Sequence, residues 1–185
     1  MITLISGTNR PGSNTRKVTR IIEGIYRDLR VPTHVIDLLD LPPALFLPEA
    51  YATKPPAFAP FAQAVLDASG LVVVTPEYNG SMPGVLKLFI DHLKFPESFE
   101  SRPVCFVGHA AGMWGALRSV EQLQAIFGYR NAFLFGKRVF VPGIGQALNA
   151  AGQFNDPDIR ERLRDQADGF VTFVEKLRGA ALRAA

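Results

Sequence analysis

The stretch that most constrains this chain runs from Gly70 to Leu93. It begins Gly-Leu-Val-Val-Val-Thr, a valine-rich run without polar alternation, which reads as a strand buried on both faces. The run ends in Pro-Glu-Tyr-Asn-Gly-Ser-Met-Pro-Gly, a polar loop stiffened by Pro76 and Pro83. Val85, Leu86, Phe89, Ile90 and Leu93 then fall at helical spacing, with Pro83 expected in the first turn of that helix. In open α/β sheets ligands sit at the carboxyl ends of the strands. A rigid polar loop carrying an aromatic side chain at that place suits recognition of a flat ring.

Four more strand-like runs surround this one: Ile2 to Ser6, His34 to Leu38, Pro103 to Gly108, and Phe133 to Val141 with a break expected at Gly136. Helical spacing appears between and after them. Val18, Ile21, Ile22, Ile25 and Leu29 mark one helix, with Ser13 or Asn14 as its N-cap. Phe58, Phe61, Ala62, Val65 and Leu66 mark another, and Leu117, Val120, Leu123 and Phe127 a third. A closing helix from about Asp158 to Arg178 turns Ile159, Leu163, Phe170, Val174 and Leu177 inward. Strands alternating with helices predict a five-stranded parallel sheet with helices on both faces, for which 2-1-3-4-5 is one of the common orders. In that order the reversal point lies between the first and third strands. The chain's two Gly/Pro-rich polar loops follow those same strands.

At 185 residues the chain is expected to form one domain over positions 1–185. No apolar run reaches the ~20 residues needed to cross a bilayer, and Met1 leads straight into a strand pattern with no basic leader. The single cysteine, Cys105, excludes an intrachain disulfide and fits the cytoplasm. A net charge of +3 is modest. The basic residues near the end (Arg160, Arg162, Arg164, Lys176, Arg178) are interleaved with Glu161, Asp165, Asp168 and Glu175, which reads as a solvated helix face with ion pairs at short spacing. A nucleic-acid surface would need clustering without the acids, so no nucleic-acid partner is expected. The segment from Leu41 to Pro60 holds six of the 14 prolines together with Leu45, Phe46, Leu47, Tyr51 and Phe58. That is too apolar for a solvated linker, and it packs over the domain or against a partner chain.

The first loop gathers Thr8, Arg10, Ser13, Asn14 and Thr15 at a helix amino terminus, where free N–H groups and the helix dipole favour an anion. It is neither a Walker sequence nor a Gly-x-Gly-x-x-Gly fingerprint. The alternative is simply a capped helix with a polar first turn. The second loop can hold a ring through Glu77 to Gly80, with Tyr78 and Asn79 lining it, or can be a rigid connection only. A third loop adds His109, Ala110, Gly112, Trp114 and Gly115, whose glycines permit close backbone approach. Trp114 reads as core or interface against stacking partner, and His109 lies nearest the proposed site. Cys105, among Val104, Phe106 and Val107, reads as a buried inert thiol. His34, His92 and His109 lack metal-ligand spacing, so no metal is expected.

Gly-Thr-Asn-Arg-Pro-Gly-Ser-Asn-Thr, Pro-Glu-Tyr-Asn-Gly-Ser-Met-Pro-Gly-Val-Leu-Lys and Gly112-Met113-Trp114-Gly115-Ala116-Leu117-Arg118 together resemble the NADPH-dependent FMN reductase family of flavodoxin-like flavoproteins, up to about Ala150. That family includes quinone, azo-dye and chromate reductases. The resemblance implies FMN phosphate at Thr8, Arg10, Ser13 and Thr15, with Asn14 alongside. It implies the isoalloxazine against Pro76, Glu77, Tyr78 and Asn79, with Ser81 in the same loop, and against the backbone from Ala110 to Gly112. Thr8 stands where serine is usual, Ala116 replaces a second glycine, and Ala110 stands where serine is frequent.

The implied activity passes hydride from NADPH or NADH through FMN to a quinone, azo compound, free flavin or similar small-molecule acceptor. No residue then need act as a catalyst itself, because the cofactor carries the chemistry. The family resemblance also implies a homodimer or homotetramer. Two alternatives remain open: a flavodoxin-type electron carrier, against which the pI near 9.2 and Arg10 argue, and a non-enzymatic FMN-binding sensor.

Overall fold

In the computed structural model, which describes residues 1–184 with side chains through Gly179, the valine-rich run becomes the central strand of a parallel sheet. The strands are β1 (Ile2–Ser6), β2 (Thr33–Asp37), β3 (Gly70–Pro76), β4 (Pro103–His109), β5 (Phe133–Leu134) and β6 (Val139–Val141). Their order is β2-β1-β3-β4-β5, with β6 also pairing with β4. Every residue of β1, β3 and β4 is buried, as strands covered on both faces must be. The helices are α1 (Asn14–Asp28), α2 (Ala59–Leu66), α3 (Gly84–His92), α4 (Leu117–Tyr129), the single turn α5 (Ile144–Ala147) and α6 (Pro157–Ala184).

Alternation along the strands sorts the core into two layers. Ile5, Leu71, Val73, Val104 and Phe106 face α2, α3 and α4, where Phe89, Phe99, Val120 and Phe127 meet them. Leu4, Val72, Val74, Cys105 and Val107 face the other way, onto Val18, Ile22 and Ile25 of α1 and Leu163, Phe170 and Val174 of α6. Ile159 and Leu177 are only partly buried at the ends of that helix contact. Phe127 stands edge-on to Phe99 and to Phe106, with both pairs of ring centroids 5.6 Å apart.

The run expected as a fifth strand is divided, and the break spans residues 135–138 rather than Gly136 alone. Gln166 of α6 fills the gap. Its side-chain amide donates to the Phe106 carbonyl of β4 and to the Lys137 carbonyl, both at 2.9 Å, so β4 keeps a bonding partner where the ladder lapses. Pro83 sits at the N-cap of α3 rather than inside its first turn. The expected ion pairs along α6 are not formed among the described residues; Arg160 instead reaches Asp28 on α1 at 3.3 Å. Of the Leu41–Pro60 segment, Leu41, Leu45, Ala50 and Phe58 pack into the core in a series of single-turn helices, while Phe46, Leu47 and Tyr51 stay exposed.

Truncating Phe127, 1% exposed, to alanine removes the ring shared by two aromatic pairs and leaves a cavity under α4. The Phe127→Ala variant is expected to lose about 3–5 kcal/mol of stability in a urea titration. A loss under 1 kcal/mol would contradict this packing.

Candidate functional site

Three loops converge because three strands end side by side. At the end of β1 the Gly7 N–H donates to the Val74 carbonyl of β3 at 2.9 Å. A Cβ on Gly7 would lie 2.7 Å from that carbonyl oxygen, so only glycine lets the first loop run this close to β3. At the end of β3 the Glu77 N–H donates to the His109 carbonyl at 3.2 Å, which ties the second loop to β4. The third loop folds onto β4 through Gly115, which has φ +56° and whose own Cβ would meet the Val141 and Pro142 backbone near 3 Å.

Between these loops lies a cleft of about 460 Å³, within the usual range for small-molecule sites. Arg10, Ser13, Asn14 and Thr15 form one wall and Pro76, Glu77 and Tyr78 another, with His109, Ala110 and Ile144 between them. Eight of the residues expected from sequence therefore meet here: Arg10, Ser13, Asn14, Thr15, Pro76, Glu77, Tyr78 and Ala110. Four do not line the cleft. Thr8 is buried beneath the wall, its hydroxyl 3.1 Å from the Tyr78 phenol. Asn79 is exposed at the tip of the turn closed by Tyr78 and Ser81, with φ +52°. Ser81 donates its hydroxyl to Gln122 on α4 at 2.6 Å, and Gly112 is exposed outside the cleft.

The chemistry of the two ends differs. Ser13 caps α1, its hydroxyl accepting from the Arg16 N–H at 3.3 Å. The other first-turn N–H groups have no intrahelical acceptor and face an anion favourably. Arg10 makes no ion pair among the described residues and brings a full positive charge to that end. Across the cleft, Arg118 of α4 donates to Glu77 Oε1 at 2.8 Å and neutralises its carboxylate. Glu77 Oε2 is buried without a partner. That pairing suits a fixed wall better than a general base.

His109, at the end of β4, is 4% exposed. Its Nε2 lies 2.8 Å from the Thr15 hydroxyl, and its Nδ1 is buried without a partner. Burial disfavours the imidazolium and pushes its pKa down to about 4. Ile144 and Gly145, after β6, also line the cleft, and no motif in the sequence marked them. Cys105 is fully buried and burial pushes its thiol pKa up, as expected of an inert thiol. Trp114 is 55% exposed and so is not core within one chain. No group of metal-ligating side chains forms among the described residues.

The sequence profile of the NADPH-dependent FMN reductases matches residues 1–146. The chain belongs to the NADPH-dependent FMN reductase family. It is accordingly a flavin-dependent oxidoreductase that uses FMN and NAD(P)H. Over 180 residues, 95% of each chain, it is 31% identical to an NAD(P)H-dependent FMN reductase of Pseudomonas aeruginosa. A quinone reductase of Escherichia coli K12 is 31% identical over 121 residues, 63% of this chain and 64% of its relative. Among solved structures, the flavoenzyme NAD(P)H:(acceptor) oxidoreductase FerB of Paracoccus denitrificans superposes with a TM-score of 0.80 at 22% identity, covering 95% of this chain and 97% of its own. An archaeal flavodoxin superposes with a TM-score of 0.65 at 11% identity, covering 95% of this chain and 99% of its own, which bears on fold alone.

In this FMN reductase the depressed His109 pKa has a consequence for stability. Between pH 6.5 and 4 the unfolded chain binds a proton at this position and the folded one does not, so stability falls as the pH falls through that window. The ligand-free protein is expected to lose up to about 3 kcal/mol there from His109 alone. His109→Gln should lose correspondingly less between pH 6.5 and 4 in chemical denaturation. Parallel losses in the two proteins would contradict the burial argument.

Proposed function

We propose that the cleft is the FMN site, and that this enzyme uses it to reduce a quinone or a similar small planar acceptor with NAD(P)H. The observation that carries this reading is the asymmetry of the cleft. A cationic, donor-rich end at the α1 terminus suits a phosphate, and a rigid wall of Pro76, Glu77 and Tyr78 suits a ring. Two of its lining residues, Glu77 and His109, each hold a buried polar atom without a partner, Oε2 and Nδ1. The residues present therefore fit the cofactor the family uses.

When bound, FMN would supply the two-electron redox chemistry between NAD(P)H and a second substrate. The protein's part is binding and orientation. Ser13, Thr15 and the first-turn N–H groups of α1 hold the phosphate, with Arg10 adding a charge-assisted bond. Thr8 and Asn14 support that end, Thr8 by fixing the Tyr78 phenol. The Arg118–Glu77 pair and the Glu77 N–H to His109 bond keep the second wall in place. Asn79 and Ser81 shape the turn that carries Tyr78, and Ala110 brings the third loop to the ring, with Gly112 just beyond the cleft. A quinone as acceptor draws support from relatives named as quinone reductases.

We further propose one domain over residues 1–185, since both core layers share the same strands. No helix among the described residues is long and apolar enough to cross a membrane. A reducing cytoplasm suits the lone buried cysteine. Exposed Phe46, Leu47, Tyr51, Met113 and Trp114 support assembly as a homodimer or homotetramer. A single monomeric species in sedimentation at micromolar concentration would contradict that assembly.

The purified protein should oxidise NADPH at a rate that depends on added benzoquinone. Retention of FMN without NAD(P)H oxidation would favour an electron carrier instead. The Arg10→Ala substitution is expected to raise the FMN Kd about tenfold or more, from the worth of one charge-assisted bond. An unchanged Kd in a fluorescence titration would remove Arg10 from the phosphate end.

A further inference from the structure

The Thr15–His109 contact is unusual for a buried pair at a ligand site, because a hydroxyl owns only one hydrogen. Two arrangements satisfy the 2.8 Å contact. If Thr15 donates to Nε2, the ring hydrogen sits on Nδ1, and a buried N–H is left without an acceptor. If the Nε2–H donates to Thr15 Oγ1, only a lone pair on Nδ1 is left unpaired, and orphaned acceptors are the better tolerated of the two. The second arrangement also frees the Thr15 hydrogen, which does not then point at the ring. Thr15 is the second residue of α1 and lines the cleft while itself fully buried, at the end where the helix dipole and Arg10 already favour an anion.

We propose that His109 is a positioning residue for the phosphate of the bound ligand, orienting the Thr15 hydroxyl as a donor into the cleft and placing a proton-dependent charge behind it. The proposal rests on the reading of the cleft as a phosphate-binding FMN site and deepens it. The groups around the imidazole are few. Thr15 faces it from α1, Pro76 and Glu77 from the end of β3, and apolar Val141 and Ile144 from β6 and the turn after it. Arg10 and Glu77 line the same cleft, and Glu77 is charge-paired with Arg118 through Oε1 while its Oε2 keeps no partner.

The sign of the proton effect follows from linkage. In the ligand-free protein burial keeps the imidazole neutral down to about pH 4. A phosphate held on the Thr15 hydroxyl is an opposite charge close to the ring and favours the imidazolium. Ligation then raises the His109 pKa, and the ligated protein takes up a proton in the window just above pH 4. The phosphate's own titration is common to wild type and variant, so it cancels in the ratio of their dissociation constants.

The test measures FMN and riboflavin dissociation constants for the wild type, His109→Gln and Thr15→Val from pH 7.5 to pH 4.5. His109→Gln is expected to weaken FMN about fivefold at pH 7, the worth of one oriented hydrogen bond. The FMN ratio between variant and wild type should grow by up to about tenfold more as the pH falls, for each unit by which ligation raises the pKa. Riboflavin, which lacks the phosphate, should show neither effect. Thr15→Val should abolish the pH-dependent part. Equal losses for both flavins, or an FMN ratio that stays flat with pH, would overturn the proposal and leave His109 a packing residue.

A second readout needs no variant to fold and no flavin to bind. The His109 ring resonances of the wild type are titrated by NMR with and without inorganic phosphate. An upward shift of its midpoint with phosphate supports the proposal, and an unmoved midpoint overturns it. A wild type that binds neither flavin, yet shows the phosphate-dependent shift, would sink the FMN reading and keep this one.

Discussion

The Gly7 N–H to Val74 carbonyl bond is the contact on which the site depends. It draws the loop after β1 against the end of β3, at the point where the order of strands reverses and a crevice must open. Any side chain at position 7 would collide with that carbonyl. From that one approach follow the placement of Thr8 under Tyr78, the direction in which α1 leaves the sheet, and the distance between the cationic end and the aromatic wall. The Glu77 N–H to His109 carbonyl bond repeats the arrangement one strand further on. The cleft is thus a product of how three buried strands end, and the loops inherit their positions from the core.

Much of this was legible in the residues. The doubly buried strand at Gly70 and the helix faces followed from apolar runs and spacing, and the sheet order and eight cleft residues from loop chemistry together with the family resemblance. What was not legible was long-range. The turn at Tyr78 and Ser81 throws Asn79 outward and sends the Ser81 hydroxyl to Gln122, and nothing local to the loop announces a partner 41 residues away. Gln166 is equally silent in sequence: a glutamine among helix-forming residues gives no sign that it will patch a lapse in the sheet. The α6 charges lie on a solvated face as expected, but the ion pairs expected along the helix are not formed among the described residues, and Arg160 reaches Asp28 across the helix packing instead.

The third loop shows how a departure from a family pattern is accommodated. Ala116, where the pattern has glycine, adopts φ +74° at the N-cap of α4 and is completely buried. A left-handed alanine costs roughly 1–2 kcal/mol. Its methyl packs near Gly108 of β4, whose own lack of a side chain makes room for it. The loop therefore keeps its course with alanine in the glycine position, and Ala110 still reaches the cleft.

The account stands on a phosphate at the α1 terminus and a ring against Pro76 and Tyr78. A crystal structure of the protein soaked or grown with FMN measures that directly. The account predicts phosphate oxygens within hydrogen-bond distance of Ser13, Thr15 and the first-turn N–H groups, with the Arg10 guanidinium turned toward them. A flavin phosphate bound away from the α1 terminus, with Thr15 and Arg10 untouched, would contradict it.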